Sequence, residues 1–586
     1  MSSSSDSKGE ALAVDNGAQS TQRRLTADQM ARARAQRRSD SNVIAGAHPW
    51  ACILSSLMLV VGVSAAAITS SADRLDAITS YVDSFKIDNL PQDLRSLWGS
   101  TATFGSAWIN DVVFGKGDSL DRRRLPLSMF IGKQERTSWQ RLLDNIHPQG
   151  TDPGCVVASP SREQPDYWYQ WSRDSALVMR NLVDQFVKTG HFRREIDEYI
   201  QETQKLQRVE TTIGGFRTGG LGDVKYNVDG TAFTGEWGRP QDDGPALRVL
   251  TLTTFARELL KSGSDEDNQF VKTVLYDGAL PTESVIKADL EYIAHNWRQP
   301  GFDLWEEVSG QHFYTQMAIH RALQTGASLA IGMGDHGAAT FYASEAKKVE
   351  NTINEFWSEE RGRIRVTVNH TSGRVSDENP HQGDATYGKA SELDTAVLLA
   401  VLHSGRGTAW ETDSRLFATL DKIIRIFEPL YPVNQGKPVP ALGRYDTDRY
   451  DGIGLSEGHP WYLCTLAASE ILYRSSRALS RSRSPFVIEP HSHEWYGRFV
   501  DLSSLPVKRK GENRIELAPQ SKPLRQIIRG QRRMADQFVG VVQEYVRLNG
   551  SMSEQFHRTT GEGRGARDLT WSYAAFITTA QARRGN

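Results

Sequence analysis

From about residue 130 onward, apolar residues recur at helical spacing and strand-like alternation is almost absent. Met179, Leu182, Val183 and Phe186 form one such stripe. The pattern predicts twelve helices, at 133–146, 173–188, 192–208, 244–261, 284–297, 314–331, 336–357, 391–404, 412–428, 459–479, 533–548 and 568–582. The odd-to-even connections, at 147–172, 209–243, 298–313, 358–390, 429–458 and 549–567, are long. Several even-to-odd connections are short, such as "TGH" at 189–191. If successive helices run antiparallel, all six long loops emerge at one end of the bundle, where a rigid scaffold would hold them around one pocket. The connections at 262–283 and 480–532 break this pattern, and the second reads as a surface excursion. The fold class expected is all-α, a barrel of twelve helices.

The amino end has a different pattern. Residues 1–47 are rich in Ser, Ala, Arg and Gln and poor in large apolar groups, a composition that cannot bury enough surface to fold. Six arginines and a single acid, Asp28, lie between Arg23 and Arg38. The uncharged run "WACILSSLMLVVGVSAAAIT" follows at 50–69. In a helix this run spans roughly 30 Å, the thickness of a bilayer core. The arginine flank favours a signal anchor whose basic side stays cytoplasmic, with the rest of the chain lumenal or extracellular. A buried helix and a cleaved signal peptide are the alternatives. The expected organisation is a basic cytoplasmic tail (1–47), a transmembrane anchor (48–70), a stem (71–124) and a barrel domain (125–586). The stem ends in "DRRR", Asp121–Arg124, which reads either as a solvated charge run or as a processing site that could release the domain. Asn369 and Asn549 begin glycosylation triplets.

Composition narrows the chemistry. A net charge of −2 over 586 residues gives no reason to expect a nucleic-acid partner. Three cysteines, Cys52, Cys155 and Cys464, exclude a disulfide framework and a multi-cysteine zinc site. Cys155 and Cys464 could bridge, although their apolar surroundings favour two buried thiols.

All the long loops but the fourth concentrate Trp, Arg, Asp, Glu and Gly. The first ends in "PDYWYQWSRDS" (165–175), the second in "GEWGRPQDDGPALR" (235–248), and the third holds "GFDLWEEVSGQHFYT" (301–315). The fifth carries "ALGRYDTDRYDGIG" (441–454) before "EGHPWYL" (457–463), and the sixth runs from "NGSMSEQ" to "ARDLTWSYA". Aromatic faces stack on the C–H surface of a sugar, and planar charged groups bind vicinal hydroxyls in pairs. One such residue is more often a cap or core group; the same enrichment in loops at one end favours a pocket. Glycosidic hydrolysis needs one protonated and one ionised carboxyl. Glu306, beside Trp305 and close to Asp303 and Glu307, suits the acid, since an apolar wall and neighbouring negative charge raise a carboxyl pKa. Glu554, among Ser551, Ser553 and Gln555, suits the base if those side chains hydrogen-bond to it.

These motifs resemble the fungal glucoamylases of glycoside hydrolase family 15, in order and with family-like spacing from about residue 126 to 584. The resemblance implies an (α/α)6 barrel and an exo-acting, inverting hydrolase. Such an enzyme releases β-glucose from the non-reducing ends of α-1,4-glucans, cleaves α-1,6 links more slowly, and needs no metal or organic cofactor. By this resemblance Glu306 is the general acid and Glu554 the general base. Arg173, Asp174 and Arg444 hold the terminal glucose. Tyr167, Trp171, Trp237 and Trp461 are pocket aromatics, and Trp305 and Glu307 lie around the scissile bond and the next sugar. Arg239 and Asp303 complete the expected substrate-binding set. Asp242 stands in "RPQDDG" where many family members carry Arg, a charge reversal that bears on sugar preference. No starch-binding module follows the barrel, so soluble dextrins and maltooligosaccharides are the expected partners, acted on by a monomer. Two other readings remain at this point: a related inverting enzyme for isomaltose-type or trehalose substrates, and a catalytically weak glucan-binding protein.

Overall fold

A computed structural model describes residues 121–371, 392–505 and 513–585. The expected cytoplasmic tail, membrane anchor and nearly all of the stem lie outside the described residues. Among the described residues, no helix is long and apolar enough to cross a membrane.

Twelve helices of eight residues or more occur among the described residues. They are α1 (Leu127–Asp144), α2 (Ser172–Thr189), α3 (Arg193–Gln207), α4 (Asp243–Ser262), α5 (Val285–Asn296) and α6 (Phe313–Gly332). α7 (His336–Asn354), α8 (Ala396–His403), α9 (Ser414–Phe427), α10 (Tyr462–Arg481), α11 (Lys522–Tyr545) and α12 (Thr570–Arg584) follow. The even helices close a ring: α2 packs on α4, α4 on α6, α6 on α8, α8 on α10, α10 on α12, and α12 on α2. Each odd helix lies outside, with α7 against α6, α11 against α10 and α1 against α12. This is the double ring of an (α/α)6 barrel.

Local chemistry sets the helix ends. Met179, Leu182 and Val183 of α2 are fully buried, and α2 stops where Gly190 takes φ 73°, the left-handed conformation that glycine accepts without steric cost. Asp335 and Asp413 cap α7 and α9 by accepting the backbone N–H of Ala338 and Arg415. Cores of this density make large-to-small changes costly, about 2–5 kcal/mol for a buried Leu→Ala.

Three expectations need correction. The stretch 480–532 is not wholly a surface excursion. It contains a two-stranded antiparallel ladder, Phe486–Ile488 with Ile515–Leu517, and then the first half of α11, which begins at Lys522 rather than near 533. "KPLRQIIRGQRR" hid that half because charge and a glycine mask its apolar face. The "DRRR" stretch is a solvated run only in part: Arg123 and Arg124 are exposed, but Arg122 is not. Arg122 is buried, and its Nη1 donates to Gln134 Oε1 (3.2 Å) and Thr137 Oγ1 (2.9 Å). Finally, strands do occur, as small antiparallel ladders inside the loops that are too short for alternation to register.

Those ladders position the pocket loops. β1 (Gln170–Trp171) pairs with β2 (Lys225–Tyr226), setting Trp171 opposite Lys225. β3 (Gly301–Phe302) and β4 (Ser309–His312) bracket the acidic turn, and β7 (Thr367–Thr371) pairs with β4. β10 (Gln555–Phe556) pairs with β11 (Gly563–Arg564) directly after Glu554. Cys155 and Cys464 are free, buried thiols. Asn369 and Asn549 are both exposed; Asn369 donates to Gln311 (3.1 Å) and Asn549 accepts from the Ser551 backbone (3.0 Å).

Candidate active site

The inner helices begin where the long loops end, so their first residues face one cavity of about 60 Å³. Tyr167, Trp171, Arg173, Asp174, Trp305, Glu306, Arg444, Trp461 and Glu554 all line it, together with Tyr450 and Trp571. Residues 387 positions apart along the chain therefore share one wall: Tyr167 Oη donates to Glu554 Oε1 at 2.8 Å.

Glu306 sits at φ 69°, a backbone conformation rare for a side chain with a Cβ. The turn that imposes it is tied by Asp303, whose Oδ1 accepts the N–H of Glu307 (2.8 Å) and Val308 (2.9 Å). Three donors converge on the Glu306 carboxylate. Trp171 Nε1 (2.8 Å) and Arg173 Nη2 (3.1 Å) reach Oε1, and Trp237 Nε1 (2.5 Å) reaches Oε2. Arg173 is itself fixed by Gln241 (2.8 Å) and Asp243 (3.2 Å). Gly238 permits the close approach of the Trp237 loop, since a Cβ there would meet the Phe302 ring at 2.5 Å.

Glu554 has a different setting. Burial pushes its carboxyl up to about 8, against the hydrogen bond from Tyr167. The expected polar partners point elsewhere: Ser551 donates to Asp568, Ser553 to the Gln555 carbonyl, and Gln555 to the Tyr450 carbonyl. Glu554 Oε2 has no hydrogen-bond partner among the protein's atoms, nor does Trp461 Nε1 on the same wall. Asp174, 3.4 Å from Arg173 Nε, is raised to about 6 by burial.

Glu307 is clamped between Arg444 Nη2 (2.6 Å) and Tyr445 Oη (2.7 Å), and Asp448 pairs with both Arg444 nitrogens that face it. Trp305 donates to Asp394 (3.0 Å) and leans on Trp461, ring centroids 5.6 Å apart.

Four of the expected substrate-binding residues, Trp237, Arg239, Asp303 and Glu307, do not line this cavity; Trp237 and Glu307 contact residues that do. Asp303 is fully buried under its own turn. Arg239 does not line the cavity; it holds its loop through Asp223 (2.8 Å) and the carbonyls of Gly235 and Phe233. Asp242 accepts from Tyr292 Oη at 2.7 Å and is raised to about 6 by burial. Sequence reasoning missed Lys225, Tyr450 and Asp394. Lys225 Nζ lies 3.3 Å from the Trp237 ring centroid, with Phe233, Trp171 and Tyr169 at 4.1, 4.5 and 4.6 Å. A lysine between a valine and a tyrosine carries no motif; only the β1–β2 register could have revealed it.

A helical double ring with two buried carboxyls in an aromatic, arginine-lined cavity defines a glycoside hydrolase. Residues 137–581 match the model of glycosyl hydrolases family 15. The chain is 34% identical over 459 residues to the "Probable glucoamylase" of Schizosaccharomyces pombe, covering 77% of this chain and 90% of that protein. It is 32% identical over 494 residues to "Glucoamylase, intracellular sporulation-specific" of Saccharomyces cerevisiae, covering 80% of this chain and 86% of that one. Among solved structures, the Saccharomycopsis fibuligera glucoamylase superposes with a TM-score of 0.68 at 29% identity, over 79% of this chain and 96% of that chain. The Hormoconis resinae glucoamylase gives 0.67 at 34% identity, over 78% and 74%. The chain belongs to glycosyl hydrolases family 15.

Proposed function

We propose that this protein is an exo-acting, inverting glucan 1,4-α-glucosidase that removes β-D-glucose from the non-reducing ends of soluble α-1,4-glucans. The observation that carries the reading is the shared cavity. It brings Glu306 and Glu554 together in one cavity of about 60 Å³. Arg173, Asp174 and Arg444 receive the hydroxyls of the terminal ring, and Trp461 Nε1 offers a further donor.

Glu306 protonates the glycosidic oxygen as the bond to the anomeric carbon breaks. Glu554, in its ionised form and through its unshared Oε2, takes a proton from a water that attacks the opposite face, which inverts the configuration. Tyr167 fixes Glu554 in the orientation this requires, while Trp171, Arg173 and Trp237 orient Glu306. Glu307, held by Arg444 and Tyr445, supports the wall near the next sugar. All of these groups come from one chain, so a monomer suffices. Anchoring through residues 50–69 is part of the same proposal and is tested by alkaline extraction of membranes.

The deciding measurement is the anomer of glucose first released from maltotriose by the wild type. β-Glucose supports the reading; α-glucose overturns it. Comparing glucose release from maltose, isomaltose and trehalose fixes the linkage. Glu306→Gln and Glu554→Gln should each remove nearly all turnover, and full activity in either overturns its assignment.

A further inference from the structure

A second cavity, also about 60 Å³, lies within the inner ring and touches the first across Trp571, which lines both. Its walls come from α2, α8, α10 and α12 and from the turn after α8. None of the residues assigned above to catalysis or sugar binding contributes to it. We propose that this cavity binds a neutral polyhydroxylated molecule of monosaccharide size.

The polar atoms of the wall carry the argument. Asn181 is 2% exposed, and its Nδ2 donates to the Leu177 carbonyl at 3.2 Å, which leaves Oδ1 as an acceptor with no partner. Arg474 is 9% exposed. Its terminal nitrogens are spent on Glu470 Oε1 (2.5 Å) and on the Leu402 and Gly405 carbonyls (3.2 Å each), and its Nε is left without a partner. Buried polar atoms in this state carry a desolvation cost that a ligand can relieve. The site thus needs one group that donates and one that accepts. A hydroxyl does both. An inorganic anion has no proton for Asn181, and the three arginines of the wall, Arg180, Arg406 and Arg474, are already paired with Asp184 and Glu470. An ammonium ion cannot accept from Arg474. Leu399, Leu402, Leu463, Ala467 and Ala574 supply apolar surface for C–H faces, so the wall mixes the two kinds of surface a polyol presents.

An occupant would rest against the ring that floors the catalytic cavity. The Arg173 guanidinium lies 5.7 Å from the Trp571 ring centroid and holds Glu306 at 3.1 Å. Binding at the rear therefore touches the support of a catalytic carboxyl through one indole.

The test is equilibrium dialysis of labelled D-glucose against the intact wild-type protein and Asn181→Leu. Asn181 is outside the catalytic wall, so maltotriose turnover and the melting temperature serve as controls for folding. The expected result is one bound glucose per chain fewer in the variant. Because the readout is a difference, it does not depend on how many glucoses the front cavity holds. Ala467→Leu, which narrows the cavity without removing a polar group, should lose the same equivalent and stands in if Asn181→Leu fails to fold. Equal stoichiometry in wild type and in the folded variants overturns the proposal, and then water alone satisfies Asn181 and Arg474.

Discussion

Gly565 runs directly beneath the carboxylate of Glu554: a Cβ at position 565 would lie 2.4 Å from Oε2. With φ at 70°, residue 565 is also in the left-handed region that glycine tolerates best. The oxygen assigned to the attacking water is thus the one this glycine leaves room for. Gly565→Ala should displace the carboxylate and lower kcat on maltotriose on the order of 100-fold, the scale of an ångström-sized misplacement. Melting curves should show an intact fold. Unchanged kcat would mean that Glu554 Oε2 is not where the chemistry occurs.

Tyr167, ahead of Arg444 and Tyr450, is the donor that most opposes the upward push of burial on Glu554. Tyr167→Phe removes that donor, so the base becomes harder to ionise. The acidic limb of the kcat/KM profile should move to higher pH, with the largest rate loss on the acid side. A limb that stays in place would separate Glu554 from the group whose ionisation limits turnover.

The same carboxyl makes a prediction about stability. Its folded pKa, about 8, lies above the unfolded value of roughly 4.3. The folded state therefore binds this proton more tightly, and the stabilisation it gives is complete below the unfolded value and is lost as pH rises through the folded one. Glu554→Gln, which needs no proton, should melt higher than wild type at pH 8 by more than at pH 4. Each pH unit in that window contributes up to about 1.4 kcal/mol. Identical pH dependence of the two melting temperatures would contradict the buried, proton-holding carboxyl.

How much of this was legible beforehand depended on scale. Long amphipathic helices announce themselves by period, and the motif-rich loops between them located the pocket. Direction was not legible. "GFDLWEE" offers three carboxylates, and the sequence cannot tell that Asp303 turns inward to tie the loop while Glu306 turns toward Trp171 and Trp237. Arg239 follows Trp237 by two residues just as Arg173 follows Trp171, yet it serves its own loop. Partners supplied from far along the chain, such as Asp394 under Trp305, or Lys225 among its rings, follow from tertiary pairing that no local window contains.

Lys225 itself can be tested. Burial lowers its pKa to about 7, whereas four surrounding ring faces attract the charged form. Two of those rings, Trp171 and Trp237, donate to Glu306. Lys225→Met keeps the length and removes the ammonium group. It should loosen both indoles and lower kcat/KM for maltotriose roughly tenfold, about 1.4 kcal/mol, within the range of desolvated cation–π contacts. Full activity would reduce the cage to a packing feature.

Arg122 lies beneath α1 and α11, holding Gln134 and Thr137 by its side chain and the Gln543 amide by its carbonyl (3.0 Å). Endoproteases read their substrates as extended strands. The first basic residue of the Arg122–Arg124 triplet is instead locked into a tight turn on the barrel, with Asp121 bonded to Arg123 at 2.8 Å. Scission there requires the seam to peel away first, so the folded domain itself resists being severed from whatever precedes it.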